Sequence, residues 1–309
     1  MTLIPGQFPD LLDPRIKRIF NDAYKQIPDA VPTFYNTDGD LGPMKDQTRF
    51  SQVGTFGDFE TFTGSVKYDD VYEGYDTTLT HVQYAKGFSV EHTLAQDELY
   101  SIIDGKPRGL GMAYARTRQK WAAQTFVNAF HNDNTWQTGG DGQPLCSNSH
   151  TTRAPGVSTA SGFDNLGTAS LSAVSVSAAR VLARKFKDDR GHPFEVDCTA
   201  LLYPIDLWEP AEEIIRTTGK LDTPNNNINA LHGVMTSLMP GGWIRLTDAN
   251  DWFMIDTTYM KQFLHWITRE DQPLAMVEDF DTLVAKWRKY CRISLGWSDW
   301  RWIFGNQVS

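Results

Sequence analysis

Cysteine is scarce in this chain of 309 residues: only Cys146, Cys198 and Cys291 are present. Three widely spaced cysteines do not predict a disulfide framework, which needs paired cysteines. The chain also lacks any run of about eighteen apolar residues, so no membrane-spanning helix is expected. The segment Met1–Gly6 contains no basic region followed by an apolar run, and we expect no signal peptide. A reducing cytosol fits these absences best.

Positive charge is also in short supply. Lys and Arg total 29 against 38 Asp and Glu, so the formal net charge is −9. This balance disfavours broad affinity for nucleic acid or for an acidic membrane surface. Aromatic residues, by contrast, are abundant: ten Trp, eleven Tyr and seventeen Phe make up 12% of the sequence. Large aromatic side chains are favoured in cores and at protein interfaces, and the composition leaves both uses open.

No motif for phosphate binding or hydrolysis is present. The segment Gly105–Gly111 lacks the Gly-Lys-Ser/Thr ending of a phosphate loop, and neither His-Glu-x-x-His nor Gly-x-Ser-x-Gly occurs. Acidic residues cluster at Glu278, Asp279 and Asp281, a composition that suits acid/base chemistry or a divalent cation. The first turn of a helix that continues to Trp287 is the interpretation we favour, because acidic residues stabilise helix N-termini.

Two cysteines and two histidines are candidates for metal binding or nucleophilic chemistry. Cys146 and His150 are spaced as Cys-x3-His, and His192 and Cys198 as His-x5-Cys. Zinc sites usually combine two tight pairs, which these spacings do not provide. A Cys146 nucleophile with His150 or His192 as its base would need a turn that presents the thiol, and Pro-Leu-Cys-Ser offers none. We therefore expect loop and core roles, with no catalytic residue and no metal ligand among the four.

The N-terminal part of the chain contains one predicted helix and one predicted hairpin. Asp13 can cap a helix that begins at Pro14. Residues 66–72 and 79–84 alternate as two strands, which an acidic turn at 68–74 would join.

A long helix is expected next. Apolar spacing predicts a helix over 91–103, an interruption at Asp104-Gly105, and a second helix that restarts at Pro107 and continues to Phe130. About 25 residues at a rise of about 1.5 Å form a rod on the order of 37 Å, which is long for a compact domain.

The remaining residues alternate between helices and strands. Apolar spacing predicts helices at about 170–187 and at 205–216, the second with Trp208 facing inward. Strands are predicted at 194–198, 231–238 and 252–255, and a terminal hairpin is predicted from residues 286–295 and 296–302.

The order of five short motifs resembles that of the major capsid proteins of tailed bacteriophages, especially the Mu-type major head subunits. The motifs are Asp141–His150, the helix at about 170–187, Asp189–Val196, Leu201–Ala211 and Thr223–Asn229. The resemblance covers roughly residues 50–309. It implies an α+β, Hong-Kong-97-like phage capsid fold with a long spine helix, a peripheral domain, an inserted axial domain and an extended hairpin loop. The implied segments are an N-terminal arm (1–50), the extended loop (51–90), a peripheral domain with the spine helix (91–165), the axial domain (166–272) and returning strands of the peripheral domain (273–309).

The resemblance also implies a structural function without an active site, a metal or a cofactor. Such a chain is expected to self-assemble into hexamers and pentamers of an icosahedral shell that encloses double-stranded DNA without sequence specificity. Expected partners are a portal protein and scaffold or decoration proteins, with no membrane. Assembly is expected in the host bacterial cytoplasm, and the product is a virion shell. The intersubunit contacts are expected at Tyr68, Tyr72, Tyr75, Asn225, Asn226, Asn227, Asn229, Phe20 and Tyr24.

Three alternatives remain open on the sequence. One is an encapsulin-like cellular shell protein with the same fold. Another is a soluble hydrolase that uses Cys146 and His150, and the third is a sugar-binding tail protein that uses exposed tryptophans.

Overall fold

The computed structural model describes residues 8–37, 46–66, 68, 70–91, 100–219, 228–279 and 284–308. The helices are α1 (Phe8–Lys25), α2 (Val31–Phe34), α3 (Tyr100–Val127), α4 (Ala173–Ala183), α5 (Trp208–Arg216, preceded by a 3-10 turn at Ile205–Leu207) and α6 (Thr257–Phe263). The strands are β1 (Gln47–Val53), β2 (Glu73–Thr80), β3 (Val82–Glu91), β4 (Gln137–Gly139), β5 (Leu166–Gly167), β6 (Ala200–Leu202), β7 (Thr236–Ser237), β8 (Trp252–Ile255), β9 (Leu264–Asp279), β10 (Val284–Trp297) and β11 (Ile303–Asn306).

The chain divides into two compact units, and it passes between them several times. The first unit comprises Met1–Pro43, His81–Ala122 and Trp266–Ser294, and the second comprises Met44–Thr80, Ala123–His265 and Leu295–Ser309. The five-part division derived from the sequence stays a prediction. Within the part of the chain that the structure describes, no helix is both long and apolar enough to cross a membrane.

In the first unit, helices α1 and α3 pack with a three-stranded sheet. Strand β10 lies between β3 and β9, and its antiparallel register with β3 runs from Val284 opposite Glu91 to Ile293 opposite Val82. The core members are Ile16, Phe20, Val90, Ile103, Leu110, Leu274 and Trp287. The helices approach closely at Gly111, where an added Cβ would lie 2.5 Å from the Phe20 carbonyl oxygen. Glycine is therefore required at this crossing.

The second unit contains a five-stranded sheet and a three-stranded sheet. The larger sheet has the order β5-β11-β8-β6-β7, and the smaller one has the order β1-β2-β4. Every residue of β6, β8 and β11 is buried, as expected for central strands that are covered on both faces. Helix α4 packs against β8 and β11. Beside them, the ring of Phe126 meets three other aromatic rings edge to face at 6.0–6.2 Å, those of Trp243, Phe253 and Trp302.

Two predicted helix boundaries are wrong for a shared reason. Helix α1 begins at Phe8 and contains Pro14, so its N-terminus is not at Asp13. Helix α3 begins at Tyr100 and continues without interruption through Gly105 and Pro107. Glycine costs about 1 kcal/mol and proline about 3 kcal/mol inside a helix, but tertiary packing overrides such local preferences. In α3, the buried side chains of Ile103 and Leu110 lie on either side of Pro107 and supply that packing.

Several strand pairings also differ from those predicted. Strand β2 pairs with β1 and β4, whereas β3 belongs to the other unit, so residues 66–72 and 79–84 do not form a hairpin. Strand β10 lies between β3 and β9, while β11 joins the five-stranded sheet, so the predicted terminal hairpin is wrong. Three of the observed pairings, β2 with β4, β10 with β3 and β11 with β8, join strands that are distant in sequence, and apolar alternation does not identify such partners.

The acidic cluster does not start a helix, because Glu278 and Asp279 lie in β9. Asp281 lies outside the described residues.

The predicted strand at 194–198 is not formed, and only Thr236–Ser237 of the predicted strand 231–238 is a strand. The strand at 252–255 and the helix at 205–216 are confirmed, the latter with a 3-10 first turn.

Candidate functional site

The segment between β1 and β2, residues 54–72, exposes a row of phenylalanines; we call it the β1–β2 loop. Residues 54–63 form neither helix nor strand. Phe56 and Phe62 are 67% and 70% exposed, and Phe59 is fully exposed. Three large aromatic side chains are thus exposed within seven residues of chain, and exposed apolar groups that lie together mark interaction sites. The sequence shows the phenylalanines, but only the structure shows that they lack a core of their own.

The N-terminal root of this loop is fixed to a turn at residues 188–192. The Gly54 N–H donates to the Tyr72 carbonyl oxygen at 2.8 Å and thereby closes the loop. The Thr55 N–H donates to Asp189 Oδ2 at 3.1 Å, and the Thr55 hydroxyl donates to Asp188 Oδ2 at 2.9 Å. A Cβ added at Gly54 would lie 2.7 Å from the Tyr72 carbonyl oxygen, so only glycine fits there.

The C-terminal root of the loop is held by two arginines. Arg190 donates to the Asp70 carbonyl oxygen at 2.6 Å, and its guanidinium carbon lies 5.4 Å from the centre of the Tyr72 ring. Arg153 donates to the Gly74 carbonyl oxygen at 3.1 Å and lies 4.8 Å from the centre of the Tyr75 ring. Cation–π contacts at such distances contribute about 0.5–1 kcal/mol at exposed sites. The loop is thus rooted at both ends while its phenylalanines face solvent.

The three tyrosines predicted as intersubunit contacts therefore lie in two different environments. Tyr72 and Tyr75 sit at the root, and the Tyr75 hydroxyl shares a hydrogen bond of 2.7 Å with Thr151 Oγ1. Tyr68 is exposed within the loop. A contact with a neighbouring subunit stays a prediction for all three.

The predicted contacts on α1 lie in the first unit. Phe20 is buried in the core, and the Tyr24 ring packs 5.4 Å from the ring of Tyr114. Burial raises the pKa of Tyr24, which keeps its hydroxyl protonated. Both side chains are already packed within their own chain, and their role between subunits stays a prediction.

The asparagine-rich segment is described only at its end. Asn225, Asn226 and Asn227 lie outside the described residues. Asn229 is buried, and its amide nitrogen donates to the carbonyl oxygens of Ile214 and Thr217 at 2.9 and 2.8 Å. These bonds satisfy carbonyl groups at the C-terminus of α5, which gives Asn229 a role within the subunit. Its predicted intersubunit contact is untested.

The Cys146–His150 pair is not arranged as a nucleophile and its base. Cys146 is buried, and this burial raises the pKa of its thiol. His150 Nδ1 lies 2.6 Å from Asp141 Oδ2, and Nε2 lies 3.2 Å from Asn165 Oδ1. Its ring also stacks on Trp300 at 4.2 Å. A buried, protonated thiol is a poor nucleophile, so this geometry disfavours a hydrolase.

The other two candidate ligands are held separately. The Cys198 Sγ lies 3.9 Å from the Trp302 carbonyl oxygen, whereas His192 Nδ1 lies 3.7 Å from Asp58 Oδ2. Across the described ranges of the chain, no group of three or more His, Cys, Asp or Glu residues is placed to hold a metal ion.

Helix α4 carries apolar side chains on two sides, which the sequence alone did not separate. Val176, Ala179 and Ala183 are buried. Val174, Val181 and Leu182 are exposed.

The prediction that Trp208 faces inward is wrong, because this side chain is 51% exposed while Ala211 and Ile214 form the buried side of α5.

One family model matches the chain, and several solved structures share its fold. A family model described as phage capsid protein matches residues 74–306. No curated protein matches the chain in sequence. The capsid of Myoviridae phage XM1 aligns with a TM-score of 0.53 and 11% identity over 92% of each chain.

Two further solved structures are similar at comparable levels. The procapsid of bacteriophage JBD30 aligns with a TM-score of 0.51 and 12% identity over 99% of this chain and 77% of that one. A virus-like particle from Pyrococcus furiosus aligns with a TM-score of 0.50 and 9% identity over 95% of this chain and 98% of that one. At these identities the likeness concerns the fold alone, and it confirms the α+β, Hong-Kong-97-like fold predicted from the sequence.

Proposed function

This chain belongs to the phage capsid protein family, and we propose that it is a major capsid subunit that assembles with copies of itself into hexamers and pentamers of a closed icosahedral shell. It is a structural protein of the capsid and not an enzyme. The shell would enclose double-stranded DNA, and a net charge of −9 would let that DNA slide along the lining without tight binding.

The observation that carries the proposal is the exposed row of Phe56, Phe59 and Phe62. Fully burying one such side chain contributes about 1.5–3 kcal/mol, so leaving three in water forgoes a large stabilisation. Both ends of the β1–β2 loop are fixed to the subunit, which keeps the row on its surface, where an incoming copy can reach it. The phenylalanines are therefore placed for contact with a neighbouring subunit.

The remaining contacts follow from the family resemblance. Tyr68 would join the same interface as the phenylalanines, while Tyr72 and Tyr75 would hold the loop in position for it. The N-terminal arm with Phe20 and Tyr24, and the segment Asn225–Asn229, would supply further contacts between subunits. A portal protein and scaffold or decoration proteins are proposed partners, with assembly in the host cytoplasm.

The proposal is tested by expressing the chain alone, separating the product by size and imaging the largest fraction by negative-stain electron microscopy. The wild type should form closed shells, tubes or rings. A variant with Phe56→Ser, Phe59→Ser and Phe62→Ser should form no closed shells. The matched control replaces the same three residues by Leu, which retains apolar surface and should retain assembly. A wild type that stays monomeric at every protein and salt concentration, or a serine variant that assembles normally, would contradict the proposal.

A further inference from the structure

The exposed side of α4 forms an apolar surface that is open to solvent in the part of the chain that the structure describes. With residues 228–231 it lines a groove whose exposed apolar members include Val174, Val181, Leu182 and Ile228. Val174 is 72% exposed. A helix that is apolar on two sides is typical of one buried on two sides. We call this surface the α4 face.

A second exposed apolar surface surrounds the first turn of α5 in the same unit. Ile205 and Trp208 are exposed, and Ile244 joins them from another segment. The Trp243 N–H donates to the Tyr203 carbonyl oxygen at 2.9 Å, and a Cβ on Gly242 would lie 2.7 Å from Ile205 Cα. These contacts hold residues 242–244 beside residues 203–205. We call this surface the α5 face; its tryptophan is of the residue type most enriched at interface hot spots.

Basic side chains outnumber acidic ones beside the α4 face. Arg180 and Arg184 both pair with Asp197, at 3.0 and 2.9 Å. Lys185 adds an exposed cation at the end of the helix. Two arginines thus share one carboxylate, and with Lys185 the C-terminal end of α4 carries more positive than negative charge.

Acidic side chains outnumber basic ones beside the α5 face. Asp206, Glu209 and Glu213 are exposed. Glu212 forms an ion pair with Arg216. Arg216 and Arg245, the residue after Ile244, are two cations against four carboxylates in these two segments. If the α4 face of one copy met the α4 face of another, or if two α5 faces met, like charges would come together. An α4 face against an α5 face brings opposite charges together.

From these observations we propose that the α4 face of one copy docks on the α5 face of the next copy. This inference rests on the proposed self-assembly and specifies one of its contacts. Because two different surfaces meet, the contact is heterologous and repeats around a ring, whereas pairing of one face with itself would stop at a dimer. The apolar centres exclude water, and the charged rims fix the order in which copies follow one another.

Thiol cross-linking of assembled particles tests the pairing, since Cys146, Cys198 and Cys291 are all buried and give little background. A chain with Val181→Cys and Trp208→Cys should give a ladder of covalent multimers. Each single variant alone should give no dimer, and an equimolar co-assembly of the two single variants should give dimers only. Trp208→Cys combined with Val277→Cys, an exposed residue of the other unit, is the matched control and should give no ladder.

A charge exchange provides a second measurement. Lys185→Glu and Glu209→Lys should each lower the yield of particles about tenfold, and the two together in one chain should restore it. Dimers from either single cysteine variant alone, or particles that form normally without the cross-linked ladder, would overturn the α4–α5 contact and leave the shell proposal standing. A wild type that forms no particles would instead overturn the shell proposal itself.

Discussion

The second unit contains two groups of aromatic side chains that differ in what covers them. Phe126 is buried and meets three aromatic rings of the same unit, among them Trp302. Phe56, Phe59 and Phe62 belong to the same unit, yet their side chains face solvent. The residue types are similar, and the difference lies in whether the subunit itself supplies the neighbours.

This difference separates the two uses of aromatic residues that composition leaves open. The buried group stabilises the folded subunit, because each ring removes large apolar surface from water. The exposed group adds little to the isolated subunit and becomes useful when a second copy covers it. Substitutions in the two groups should therefore affect different measurements, and the following variants are ordered by their expected effect on the free energy of unfolding.

Trp302→Ala should have the largest effect on the subunit. Trp302 is fully buried, and truncating a buried Phe or Trp typically costs about 3–5 kcal/mol. Denaturant unfolding should be measured in the loop serine variant, so that assembly does not add to the apparent stability. A loss below about 1 kcal/mol would show that the aromatic cluster around Phe126 is not what stabilises this unit.

His265 should make the stability of the second unit depend on pH. Its ring stacks on Phe50 at 4.2 Å, and burial lowers its pKa to about 4. Because the unfolded state takes up the proton near pH 6.5 and the folded state resists it, this contribution is complete above about pH 6.5. It should be lost as the pH falls toward 4, by on the order of 3 kcal/mol.

His265→Phe is the matched variant, because it keeps a ring beside Phe50 and removes the titrating group. Unfolding curves between pH 4 and 7 should be flatter for this variant than for the parent chain, again in the loop serine background. Equal slopes in the two chains would contradict the assignment to His265.

Arg190→Ala should have a smaller effect, confined to the root of the β1–β2 loop. The change removes the hydrogen bond to the Asp70 carbonyl oxygen and the contact with the Tyr72 ring, together worth about 1–2 kcal/mol for this half-buried side chain. Chymotrypsin, which cuts after aromatic residues, should cleave the loop faster in the variant. Arg190→Lys tests whether charge alone is sufficient, and cleavage should remain faster because Lys lacks the planar guanidinium. An unchanged cleavage rate in Arg190→Ala would contradict the anchoring role.

Replacing Phe56, Phe59 and Phe62 by Ser should change the unfolding free energy of the subunit least, within about 0.5 kcal/mol, because exposed positions contribute little to folding. The same variant should nevertheless lose closed shells. A large loss of subunit stability would contradict the claim that only the buried aromatic group stabilises the isolated subunit.

Elements with local signals were predictable from the sequence, and elements fixed by distant contacts were not. The helix at 205–216 and the strand at 252–255 follow from local apolar spacing and are observed. Helix α3 continues through Pro107 because its side chains pack in the core, and the local helix propensity of proline does not predict that packing.

The candidate surfaces could not be predicted from the sequence for a similar reason. Val181, exposed on α4, and Ala179, buried on it, are both apolar residues at helical spacing. Trp208 likewise fits an inward helix position by its residue type, yet it is half exposed. Spacing identifies an apolar side of a helix, but it does not show whether the same chain or another copy covers that side.

The most direct measurement is a structure of the particle formed by the wild-type chain, determined by electron cryomicroscopy at side-chain resolution. We expect closed shells in which Phe56, Phe59 and Phe62 are buried against a second copy while the cluster around Phe126 is unchanged. Shells in which the three phenylalanines remain in solvent would contradict the claim that these residues serve assembly.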